Sequence, residues 1–119
     1  MCYYVVESDN MYIIVNKEKV KINKLDTFSK RIKSLRFKLE PITEGYLFEK
    51  KRWINTYWFC QRTDIILTTK NNVVKHIYQN IGTEKIIFPK KNVYKVFIFP
   101  LGISEHIKIN DKLAIVNKN

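Results

Sequence analysis

Glu44 and Asp64 flank an aromatic segment, and two carboxylates meeting in one cleft serve acid/base chemistry once their surroundings raise the pKa of one of them. The same residues have a second reading: Glu44 supports a turn and Asp64 satisfies backbone N–H groups at a strand start, as short polar side chains do. Asp111, following Asn110, reads as turn chemistry. Between the carboxylates, Trp53, Tyr57, Trp58 and Phe59 form the densest aromatic cluster, flanked by Lys50, Lys51, Arg52 and Arg62. Aromatic faces beside cations stack bases and hold phosphates, as single-strand binding surfaces do. In a strand, Tyr57 and Phe59 share one face and Trp58 takes the other, so one side of this cluster is also expected to enter the core.

Other chemistry is thinly supplied. Cys60 with His76 or His106 would form a thiolate–imidazole pair, but neither histidine stands in a recognisable catalytic context, and Cys60 reads as an inert thiol. Two Cys and two His lack the close pairs that begin a tetrahedral zinc site. Three glycines in the whole chain exclude a Walker-type or dinucleotide-binding loop. No metal and no cofactor are expected.

The elements that position these groups read as strands. Tyr3–Val6, Tyr12–Val15 and Val20–Ile22 are short β-rich runs. Asp26-Thr27 then precedes Phe28, Ile32 and Leu35 at helical spacing, which predicts one short helix. From residue 46 onward the pattern returns to strands at 46–48, 57–59, 64–69, 73–78, 86–88, 94–99 and 113–116. Lys70-Asn71-Asn72 predicts a hairpin turn, and residues 103–107 predict one helical turn. Many short strands with one helix imply sheets packed face to face or a barrel.

At 119 residues, 45% of them apolar, the chain suits one domain over 1–119 with a single core. Neither a signal-peptide pattern nor an apolar run of roughly 20 residues is present, so a cytoplasmic protein without a membrane partner is expected. Twenty-two Lys and Arg against eleven Asp and Glu give a formal charge of +11. That excess either solvates the surface or draws polyanions to it. Basic clusters fall at Lys17–Lys24, Lys30–Lys38, Lys50–Arg52 and Lys90–Lys95.

Read in order, Val20-Lys21-Ile22, Asp26-Thr27, Arg31 to Lys38, Glu44 to Phe48, Tyr57-Trp58-Phe59, Asp64-Ile65-Ile66-Leu67, Tyr94 to Gly102 and Ile107 to Leu113 resemble a prokaryotic family known only as domain of unknown function 192. The resemblance covers about residues 20–116, with the strands at 3–15 as an N-terminal addition. It implies a compact, mainly β, jelly-roll-like sandwich or barrel with one short helix, and no established activity. Ser34 and Arg36 stand where the family usually has glycine and methionine, and Cys60 to Thr63 replace a longer approach to the Asp-Ile-Ile strand.

The leading expectation is therefore a non-enzymatic module that binds a small ligand or protein around Glu44, Trp58, Arg62 and Asp64. One alternative is nucleic-acid binding through Lys50, Lys51, Arg52, Trp53, Tyr57 and Arg62. Another is a small hydrolase or carbohydrate-active enzyme using Glu44 and Asp64.

Overall fold

The computed structural model describes residues 11–15, 18–25, 39–57 and 59–117. The predicted helix at 28–35, the strand at 3–6 and Trp58 lie outside them. The fold is mainly β, as the sequence leads one to expect. In chain order the strands are β1 Met11–Val15, β2 Glu18–Leu25, β3 Gly45–Glu49, β4 Ile54–Asn55, β5 Thr63–Thr68, β6 Val74–Ile81, β7 Ile86–Ile87, β8 Lys95–Phe99 and β9 Ile115–Asn117. A 3-10 turn, Ile103–His106, follows β8 where one helical turn is predicted.

Seven strands form one mixed sheet in the order β6-β5-β8-β3-β2-β1-β9, and β4 pairs with β7 as a separate ribbon. Only the β2–β3 pair is parallel. The two edges of the large sheet approach one another through the segment ahead of β9. There the N–H of Val74 donates to the carbonyl of Asp111, Asn110 donates to Val74, and Leu113 donates to Asn72.

β5 and β8 are buried at every position, which explains why their sequences read as near-continuous apolar runs and not as alternations. Their side chains still alternate in space. Ile65, Leu67, Val96 and Ile98 pack with Phe48 beneath Ile54 and Ile87 of the ribbon. Ile66, Phe97 and Phe99 pack on the opposite side with Ile13, Ile22, Leu47, Val74, Ile107 and Leu113. Phe97 and Phe99 stack at 5.7 Å between centroids.

The predicted Lys70-Asn71-Asn72 turn joins β5 to β6, with Asn72 at φ 68°. One strand is displaced. Tyr57 and Phe59 are not in a strand: the chain pairs earlier, at Ile54–Asn55, then turns at Tyr57, and the N–H of Phe59 donates to the Thr56 carbonyl at 3.1 Å. Phe59 still enters the core, whereas Tyr57 is exposed. Among the described residues, no helix is long and apolar enough to cross a membrane.

Candidate functional site

Asp64 sits on β5 opposite Phe99 of β8 and is 1% exposed. Its Oδ1 accepts the N–H of Asn80 at 2.8 Å. Its Oδ2 accepts the N–H groups of Gly102 (3.0 Å) and Ser104 (2.9 Å) and the hydroxyl of Ser104 (2.7 Å). Gly102 takes φ 99°, a backbone that glycine adopts without a Cβ clash, and this reversal after β8 brings the two N–H groups to one oxygen. Asp64 thus does satisfy backbone donors, but those of the β6 end and the 102–104 turn. An open cleft of about 260 Å³ lies beside it, lined by Gln79, Asn80, Leu101, Gly102, Ser104 and Glu105.

Arg62 joins this end of the molecule. Its Nε donates to the Asn80 side chain at 2.7 Å, so Asn80 links Arg62 to Asp64. Glu44 is placed elsewhere. It precedes β3, and its Oε1 accepts Asn23 Nδ2 of β2 at 2.9 Å. β8 separates β3 from β5, putting the two backbones roughly 10 Å apart, and the two carboxylates share no partner. The structure therefore brings Arg62 and Asp64 together and leaves Glu44 with β2. Cys60 is exposed in the loop before β5, His76 lies on β6 opposite Leu67, and His106 ends the 3-10 turn. Asp111 closes a turn, accepting the Lys108 N–H at 2.9 Å.

The aromatic and basic residues converge on the β4–β7 ribbon. Ile54 pairs with Ile87 and Asn55 with Ile86. Ile54 and Ile87 face the core at 2% and 3% exposure, so period-two alternation turns their neighbours outward. Trp53 is 42% exposed, Ile86 45% and Phe88 67%. Trp53 directly precedes β4 and Phe88 directly follows β7, so with Ile54 paired to Ile87 the two aromatic residues lie at the same end of the ribbon. Lys51 Nζ lies 4.6 Å from the Trp53 ring centroid and 5.7 Å from that of Phe48. Arg52 Nε donates to the Lys90 carbonyl at 3.1 Å, which draws the 50–53 and 88–92 segments together.

Thr56, fully buried, fastens the ribbon. Its Oγ1 donates to the Gly82 carbonyl (2.8 Å) and accepts the Lys85 N–H (2.8 Å), while its own N–H donates to the Lys85 carbonyl (2.8 Å).

Glu49, the acid next to Lys50 in the chain, is neutralised by other lysines. Lys24 Nζ lies 2.6 Å and Lys95 Nζ 3.6 Å from its two oxygens. Burial pushes its carboxyl up, but the hydrogen bonds and charges of Lys24 and Lys95 outweigh that and hold it below the ordinary 4.5. A depressed folded pKa adds stability above the unfolded value and loses it as pH falls through the folded one. Glu49→Gln is therefore expected to unfold at lower urea than the parent at pH 7, with the gap closing below about pH 4; a gap that widens in acid would contradict this assignment.

Sequence reasoning missed Thr56 as the buried fastening of the ribbon, Phe88, Lys90 and Lys91 as parts of its surface, and Ser104 as a partner of Asp64. The strand at 86–88 was readable, but Trp53-Ile54-Asn55 is too short a run to stand out as its partner.

The geometry defines a mainly β protein with a rolled seven-stranded sheet, a two-stranded ribbon packed over it, and a basic aromatic surface on that ribbon. No protein-family model and no curated protein matches the chain. Among solved structures, a Novosphingobium aromaticivorans protein of unknown function superposes with a TM-score of 0.69, covering 87% of this chain and 82% of that one at 18% identity. A Sinorhizobium meliloti protein described as a "putative transcription regulator" gives 0.67, covering 90% and 91% at 11% identity. Likeness at these identities is likeness of fold.

Proposed function

We propose that the protein is a non-enzymatic binding module that holds nucleic acid on the outward face of the β4–β7 ribbon. The distribution of charge carries this reading. Residues 50–57 and 85–92 contain Lys50, Lys51, Arg52, Lys85, Lys90 and Lys91 and no Asp or Glu, which is six of the formal +11 on sixteen residues. A predominantly basic patch around exposed aromatic residues suits a polyanion that also offers flat apolar faces.

The test is fluorescence anisotropy of labelled single-stranded RNA, single-stranded DNA and duplex DNA, titrated at low and near-physiological salt. Binding is expected to weaken by about 10²-fold between 50 and 200 mM salt if some four to five phosphates are neutralised. Lys90→Glu with Lys91→Glu is expected to flatten that salt dependence. No binding of any polymer at low salt, or equal binding by the charge-reversed protein, would overturn the reading.

The cleft beside Arg62 and Asp64 supports a second reading, uptake of a small polar ligand there. A thermal-shift screen of small polar compounds tests it, with Leu101→Trp as the blocked control. A compound that stabilises both proteins equally does not bind in this cleft.

A further inference from the structure

Trp53 and Phe88 are both exposed at one end of the β4–β7 ribbon, which a purely electrostatic phosphate site does not require. Building on the nucleic-acid reading, we infer that the ribbon takes single strands in preference to duplex, with unpaired bases stacked on Trp53 and Phe88 while Lys51, Arg52, Lys90 and Lys91 hold the phosphates. In a duplex each base face is covered by the next base pair, so an outward ring finds no face to stack on. In a single strand every base offers one, whatever its identity.

The surroundings of the rings fit that occupant. The Lys51 ammonium lies over one face of the Trp53 ring, 4.6 Å from its centroid, so a base takes the ring's other face with that cation still close to its phosphate. The Arg52 bond to the Lys90 carbonyl places a second cation between the two segments that carry the rings. The ribbon next to the rings is anchored from below by Ile54 and Ile87, both in the core, and by the buried Thr56. The rings therefore stand on a fixed base, and a strand bound there displaces nothing that holds the fold. The acids that border these segments are Glu49, paired with Lys24 and Lys95, and Glu84, whose N–H is bonded to the Thr56 carbonyl at the end of the ribbon away from the rings.

Three labelled probes of equal length separate stacking from charge: a deoxythymidine 12-mer, a duplex, and a 12-mer abasic deoxyribose-phosphate strand. The 12-mer is expected to bind at least about tenfold more tightly than either of the others, since each stacked base contributes roughly that factor. Trp53→Ala with Phe88→Ala should remove this advantage for the 12-mer, leaving abasic-strand affinity and salt dependence unchanged. If the parent protein binds all three probes equally, stacking is excluded while the nucleic-acid reading stands. If it binds none, both fail. Because the comparison among probes uses the unaltered protein, the result does not depend on how well the variant folds.

Discussion

Asp64→Ala is expected to destabilise the protein by about 3–5 kcal/mol, because it strands four donors that converge on one buried carboxylate. Each buried group left without a partner costs about 1–3 kcal/mol, and the adjoining cleft lets water recover part of the sum. In a urea titration followed by circular dichroism the midpoint should fall by about 2 M or more. Asp64→Asn keeps one acceptor oxygen, and an intermediate loss is expected. A midpoint shift below about 0.5 M for Asp64→Ala would show that water replaces the carboxylate, and that the 102–104 turn does not depend on it.

Thr56→Val should act more locally and reach the proposed function directly. Valine matches threonine in shape but can neither donate to the Gly82 carbonyl nor accept the Lys85 N–H, a loss of about 2–3 kcal/mol. The ribbon packs on the sheet but is not hydrogen-bonded into it as a strand, so it can open without unfolding the rest. Hydrogen exchange at Lys85 and Glu84 is expected to accelerate more than exchange in β5 or β8. Oligonucleotide affinity should fall although residue 56 is buried and touches no ligand. If exchange accelerates uniformly across β5, β8 and the ribbon, the ribbon is not a separate opening unit. Unchanged affinity would show that the position of the rings does not govern binding.

The mainly β character was readable because the strands carry β-branched and aromatic residues between polar turns. β1, β3, β5, β6 and β8 all overlap segments marked from sequence. The segments at 44–48, 64–67 and 94–102 fall on or against β3, β5 and β8, which are adjacent in the sheet. Tyr57 and Phe59 were misread because tyrosine and phenylalanine have high strand preference, while the decisive residue is Thr56, whose partners lie some 26–29 residues away. Long-range hydrogen bonding of that kind leaves no local pattern.

The candidate site was legible only in part for a related reason. Asp64 and Arg62 were identifiable as polar residues beside a strand, yet their link through Asn80 depends on β6 returning along β5. Glu44 looked equivalent to Asp64, and the strand order separates them. For the basic aromatic surface, half of the cluster stood out at 50–53. The other half, at 85–91, became relevant only when β7 paired with β4 and brought Phe88, Lys90 and Lys91 alongside.

The pairing of β1 with β9 sets Met11 against Asn117 and Ile13 against Ile115. The contact joins residues about a hundred positions apart. During synthesis β1 can reach β2 well before residues 115–117 emerge from the ribosome. Loop closure over that span is slow, which places folding toward the millisecond-to-second range typical of non-local β topologies. The β9-facing edge of β1 therefore waits for about a hundred further residues before its partner is available, an interval in which a chaperone would find it.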